Sequence, residues 1–179
     1  MTRLKKTIRN LLIIVVLLFL FMQFNGLYFS PVQALHASER DLHYGPSEIV
    51  HSFDYGDSRY FLTRYEDFVS CPSIEKALGV FWRYGGGYGT PNDKSRPLFY
   101  QEAKGEEDWR IFGVRNDVSI AYLEATLHDP EGKGAPITLT CKEFYDDMFC
   151  LIREGEEHLM SVTAYDKAGN IVYESKYRE

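Results

Sequence analysis

The chain has 179 residues and a formal net charge of −6, and 45% of its residues are hydrophobic. That length suits one domain of ordinary size with enough core to fold alone. The acidic balance, with no basic stripe, excludes nucleic-acid binding, and the three cysteines are too few for a disulfide framework.

Residues 1–10 contain Arg3, Lys5, Lys6 and Arg9 and no acid, and read as a cytoplasmic basic tail. Residues 11–29, LLIIVVLLFLFMQFNGLYF, are mostly apolar, with Gln23 and Asn25 the clear interruptions. Roughly 20 such residues suffice for a helix to cross a bilayer, so this stretch is a predicted transmembrane anchor. The basic flank holds the N-terminus inside and sends the rest of the chain out of the cytoplasm. A cleaved signal peptide is the competing reading: Leu11 to Met22 fits its apolar core, and Val32-Gln33-Ala34 fits a cleavage site that would release a secreted protein. Continuation of the apolar run to Phe29 favours the anchor. No cysteine lies nearby, which excludes lipidation. Beyond residue 29 all 26 acids remain with 16 of the 20 basic residues, a net charge of −10 whose plain role is solubility.

Residues 30–45 are a predicted juxtamembrane helix, short and amphipathic. Ser30 is its N-cap, Pro31 its first residue, and Gln33 completes a capping box. Val32, Leu35 and Leu42 fall towards one side, Ser38, Glu39, Arg40 and Asp41 towards water, and Gly45-Pro46 ends it.

From residue 46 to 179 the pattern is β-rich. Ile49, His51 and Phe53 alternate with polar positions, Tyr55-Gly56-Asp57-Ser58 reads as a turn, and Phe61, Thr63 and Tyr65 return as a second strand. Residues 74–84 tolerate a helix at their start, while Val80, Phe81, Trp82 and Tyr84 point to a strand at their end. Residues 85–97 read as a long loop, Leu98-Phe99-Tyr100 as an edge strand, and 101–108 as an acidic connector. The clearest part is 109–179: strands at Trp109–Val114, 119–127, Ile137–Cys141, Met148–Ile152, Met160–Tyr165 and Ile171–Tyr177, with a turn at 128–132 and a final tight turn at 166–170. Six short strands with turns about every ten residues are the mark of a β-sandwich.

The hairpin VTAYDKAGNIVYE resembles the last hairpin of bacterial immunoglobulin-like modules. More broadly, SPVQALHASERDLHYGPSEIVHSF, FWRYGGG and EFYDDMF resemble an uncharacterised family of small, single-spanning, extracytoplasmic proteins of Gram-positive bacteria. That resemblance implies location and a β-rich fold, and implies no site residue. The expected architecture is therefore mainly β, an immunoglobulin-like sandwich preceded by a transmembrane helix and a short amphipathic helix.

Chemical motifs are sparse. His36, His43 and His51 lack metal-ligand spacing, so no metal or cofactor is expected. No G-x-S-x-G motif occurs, nor an S-x-x-K in the penicillin-recognising sense, and no catalytic residue is assigned. Cys71, beside Pro72, is the best thiol for an alternative Cys-dependent envelope enzyme, which requires a histidine in contact. Cys141 and Cys150 flank an expected hairpin and are candidates to pair, although buried thiols acting as small apolar groups are the better reading. Gly85-Gly86-Gly87-Tyr88-Gly89 does not lead into Gly-Lys-Ser/Thr and reads as a flexible surface loop, not a phosphate loop. Asp129 with Glu131, Asp146 with Asp147 and Asp166 with Asn170 fall at turns, where such residues bond the backbone. The aromatics Trp82, Tyr84, Tyr88 and Trp109 bracket the 85–93 loop: exposed together they would bind a glycan, buried they fill a core. The expected function is a non-enzymatic, membrane-anchored protein that binds a protein or envelope component, with the glycan-binding module as the alternative.

Overall fold

Helix α1 covers Arg3–Phe24 in the computed structural model of the chain, which describes residues 3–87, 89–105, 108–128, 134–155 and 157–176. The apolar run outlasts the helix because Asn25-Gly26 closes it. Gly26 takes φ 60°, the Leu27 N–H donates to the Met22 carbonyl (2.9 Å), and the Gly26 N–H donates to that of Gln23 (3.3 Å). This is the Schellman pattern, which also brings residues 22 and 27 together; both are buried. Tyr28 then runs extended and exchanges two 2.8 Å backbone hydrogen bonds with Trp82. Leu27, Tyr28 and Phe29 thus leave the expected 11–29 helix, while the basic residues from Arg3 join it.

Helix α2 covers Pro31–Asp41, and the Ser30 hydroxyl accepts from the Gln33 N–H at 3.2 Å, as its cap signal implies. Its buried side is not the expected one. Ala34, Leu35, Ala37, Ser38 and Glu39 are buried, whereas Val32 and Leu42 are exposed. The two polar residues are accommodated by hydrogen bonds: Ser38 donates to the Leu35 carbonyl at 2.7 Å, and the Glu39 carboxylate accepts from the Ser47 hydroxyl and N–H.

Nearly half of the chain is strand, in three sheets. The first contains β1 (Glu48–Tyr55), β2 (Ser58–Tyr65), β3 (Phe68–Ser70), β4 (Ser73–Ala77), β5 (Phe81–Gly86) and β6 (Thr90–Pro91), all antiparallel where paired. β3 and β4 lie end to end along one side of β2, interrupted at Cys71-Pro72, and β6 and β5 follow along their far side. The helix option at 74–84 is lost because Leu78 and Gly79 both take positive φ (51° and 76°), which turns the chain within the three-residue loop between the paired Ala77 and Phe81. Pairing of β4 with β2 on its other side outweighs the local tolerance for helix.

The second sheet contains β7 (Leu98–Lys104), β8 (Trp109–Arg115) and β11 (Met148–Arg153), in the order β11-β8-β7. Its edge strand β7 absorbs Gln101–Lys104, which the sequence suggested was a connector. The third contains β9 (Tyr122–His128), β10 (Ile137–Cys141), β12 (His158–Tyr165) and β13 (Ile171–Lys176), in the order β10-β9-β12-β13. β10 and β11 therefore belong to different sheets and form no hairpin. Most of the expected 128–132 turn and the end of the last strand at Tyr177 lie outside the described residues. In the final turn Gly169 takes φ 85°, and Asp166 accepts from the Ala168 and Asn170 N–H groups, each at 2.8 Å. Hydrogen bonds from the Asn170 side chain and then its backbone hold the Asp166 carboxyl below the usual aspartate range.

The layers run α2, first sheet, second sheet, third sheet. Ala34 and Leu35 of α2 pack on Phe61 and Ile74. On the opposite face of the first sheet, Tyr60, Leu62, Val69 and Cys71 meet Phe112, Val114 and Met148 of the second. The second sheet's other face, with Trp109, Ile111 and Phe149, meets Leu123, Ala125, Leu127, Val162 and Ala164 of the third. β8 is covered on both faces, and every residue from Trp109 to Val114 is buried. At Gly113 a Cβ would stand 2.7 Å from the Tyr100 Cα of β7, too close for the backbone to stay put. Gly113→Ala is expected to cost about 1–3 kcal/mol through forced strand displacement. Gly56→Ala, at φ 59° in open space, should cost about 1–2 kcal/mol from its backbone conformation alone. Urea unfolding of the full chain in detergent, followed by tryptophan fluorescence, compares them; wild-type stability in Gly113→Ala would mean that β7 does not approach β8 this closely.

Candidate binding cleft beside the first and second sheets

Alternation along β2, β4 and β5 turns Ser58, Tyr60, Ser73, Glu75 and Arg83 towards the side on which the second sheet lies. The second sheet covers Tyr60 but not the outer part of this face, and a cleft of about 470 Å³ is left there. Its first-sheet wall includes Tyr55, Asp57, Ser58, Tyr60, Glu75 and Arg83; Gly105, Asp108 and Glu154 enter from the ends of second-sheet strands. Glu75 accepts from Arg83 at 2.9 Å, and the Glu154 N–H donates to the Tyr55 hydroxyl at 2.9 Å.

Behind the cleft lies a buried charge. Arg110 is only 3% exposed and follows from β8 geometry: it alternates with Trp109 and Ile111, so it faces the first sheet with Phe112. It donates to Asp108 at 2.6 Å, and its guanidinium carbon lies 5.2 Å from the centre of the Tyr60 ring. Its Nε has no hydrogen-bond partner among the described residues. Burial opposes the charge, but the Cys71 sulfur and Asp108 outweigh it and hold the arginine pKa above its ordinary value. Burial first, and then the Asp108 charge, pushes the Tyr60 phenol well up, so it stays a neutral hydroxyl.

The aromatic group expected at the 85–93 loop is divided. Trp82 and Tyr84 pack on the α2 side of the first sheet, and Arg59 and Lys76 lie 5.7 and 5.8 Å from the Trp82 ring centre. Tyr84 also reaches the cleft and donates its hydroxyl to the Gly87 carbonyl. Trp109 is fully buried between the second and third sheets, with its indole N–H donating to Glu102 at 2.5 Å. Tyr88 lies outside the described residues. The glycine run is not simply a free surface loop: Gly85 and Gly86 end β5, and a Cβ on Gly87 would stand 2.7 Å from the Pro72 Cα.

The cysteines also separate by core. Cys141 donates to the Glu143 carbonyl at 3.3 Å in the core beside the third sheet, while Cys150 touches Cys71, Sγ to Sγ 3.8 Å. Cys141 and Cys150 are therefore not partners, and the group against Cys71 is a thiol. His51 stacks on Tyr145, ring centres 3.5 Å apart. Among the described residues no group of three or more His, Cys, Asp or Glu is arranged to hold a metal. The sequence signal for Arg110 was available: one charge inside the apolar strand WRIFGV, two residues after an aspartate.

Asp108→Ala is expected to cost about 3–5 kcal/mol, because it strands the Arg110 charge in the interior. Combining it with Arg110→Met removes that charge and should restore part of the loss, again read from urea unfolding of the full chain. A single-variant cost within about 0.5 kcal/mol, the range of an ordinary surface change, would mean that the pair is not buried as described.

A scan against protein families, a search of curated proteins and a search of solved structures return no match to this chain.

Proposed function

We propose that the chain is a non-enzymatic, single-pass membrane protein whose β-rich part, outside the cytoplasm, binds an envelope protein in the cleft beside the first and second sheets. The carrying observation is α1: its apolar side chains from Leu11 to Phe21 are exposed on every side. An apolar helix that its own protein does not cover needs another apolar phase, and a bilayer supplies it. The apolar surface continues past the helix. Phe24 is 86% exposed, Phe29 packs on Phe81 with ring centres 5.3 Å apart, and the adjoining β4–β5 turn presents Leu78 and Val80, 73% and 69% exposed. In this reading the turn rests in the membrane interface, with Trp82 and Lys76 at headgroup level. A cleaved signal and a secreted chain are the alternative.

Binding rather than catalysis is supported by Cys71, whose neighbour is a thiol and not a base. A protein partner is favoured over a glycan because Trp109 is enclosed and Trp82 has cations beside its ring, so these two tryptophans form no shared platform beside the 85–93 loop. The cleft instead offers phenols and alternating charges, groups suited to an extended polar peptide segment. The order β11-β8-β7 against β10-β9-β12-β13 also supports an immunoglobulin-like sandwich for residues 98–176, a scaffold that carries many binding functions. The likeness to small extracytoplasmic proteins of Gram-positive bacteria accords with this location.

Two measurements test the reading. Protease added to sealed protoplasts should remove everything beyond about residue 30, where the predicted span ends; full protection would overturn the orientation, and a main species beginning at Leu35 in the medium would establish cleavage. A photo-crosslinking residue placed at Ser58 should capture a discrete partner that the same residue at Val118, remote from the cleft, does not. Identical adducts from both positions would remove the cleft as the binding site.

A further inference from the structure

We infer that Cys71 and Cys150 are a disulfide-forming pair that ties the first sheet to the second. Cys71 occupies the break between β3 and β4, and Cys150 lies within β11, 79 residues along the chain. Their sulfurs, 3.8 Å apart, are in van der Waals contact. Rotation about the two Cα–Cβ bonds is the motion that brings touching thiols to the bonded separation of about 2.05 Å. Both belong to the cluster that joins the sheets, with Tyr60, Leu62, Phe112 and Met148. Cys141 lies in the other core, so the pairing has one solution.

The Arg110 charge lies close to both sulfurs. In the folded chain, hydrogen bonding with Cys71, and then burial, raises the Cys150 thiol well above its ordinary pKa, so the exchange starts before the two sheets enclose the pair. The oxidant is a disulfide donor, RSSR. The Cys71 thiolate attacks one donor sulfur, breaks the donor's S–S bond and releases RS⁻, leaving a mixed disulfide on Cys71. Cys150, once deprotonated, attacks the Cys71 sulfur and expels the second RS⁻. Two protein thiols are oxidised, and the donor leaves as two RSH, having taken up both electrons and both protons. Cys71 is 1% exposed, so the exchange belongs to folding, before the first sheet closes on the second. The finished bond fixes the inner end of the cleft, since Tyr60 and Ser73 flank it on one sheet and Asp108 lies beyond it on the other. The pair's geometry does not depend on the membrane assignment.

The test maps thiols in the full chain. Cells are lysed into N-ethylmaleimide under denaturing conditions, and the purified chain is digested without reduction. The expected result is one alkylated cysteine, Cys141, and a reducible cross-linked peptide holding Cys71 and Cys150, with the bridged chain about 2 Da lighter than its dithiol form. In a second arm the reduced chain is refolded in detergent with reduced and oxidised glutathione. A bridge in this arm but not in cells supports the pair and counts separately against the extracytoplasmic location. Three alkylated cysteines in both arms, a bridge to Cys141, or glutathione retained on Cys71 overturns the inference.

Discussion

From Trp109 to Val114 the backbone passes through the middle of the protein with every side chain withdrawn from water, and the layers are arranged around that strand. A strand buried on both faces needs a covering layer on each side, and here both layers are sheets. The third sheet covers Trp109 and Ile111; the first covers Phe112 and Val114. Gly113 lets β7 approach on one flank, and β11 pairs on the other. The first sheet is therefore not an appendage to a sandwich, because it supplies half of the environment that its central strand requires.

One member of that strand is a cation. Arg110 faces the first sheet because neighbouring residues of a strand point to opposite sides. Its neighbours answer the charge: Asp108 accepts its hydrogen bond, Tyr60 lies within cation–π range, and two sulfurs lie close by. A buried ion pair of this kind is weak evidence for net stability, whereas removing one partner is costly. Asp108 directly precedes β8, so the Tyr60 contact is what ties the Arg110 cation to the first sheet where the cleft begins. The opposite face of the first sheet is closed by α2, whose buried Glu39 is held by Ser47. The cleft wall is thus backed by packed structure.

Local signals that end or reverse the chain were legible. Ser30-Pro31 starts α2, Gly56 and Gly169 take positive φ in their hairpin turns, and the period-two stretches at 49–54 and 137–141 and the apolar run at 109–114 are strands. Misreadings arose where a distant partner decided the outcome. Residues 101–104 look like a polar connector but are paired along β8, since an edge strand needs a partner and not an apolar face. The glycines of residues 85–89 look free because glycine carries no periodicity, yet Gly85 and Gly86 end β5, and Gly87 and Gly89 lie against Pro72 and Tyr44. Glu39 looks solvated because a helical wheel does not contain Ser47.

Sequence by itself determined the apolar N-terminal helix, the acidic character of the chain beyond it and most of the strands, since these depend on residues close together in the chain. Tertiary structure alone decided which faces meet. It set Cys150 against Cys71 and away from Cys141, enclosed Trp109 away from Trp82, and put Arg110 behind a cleft. The physical reason is that alternation states which residues share a face of a strand but not which sheet that face will meet. That choice rests on burying both faces of β8 at once, a condition to which residues from Tyr60 to Ala164 contribute.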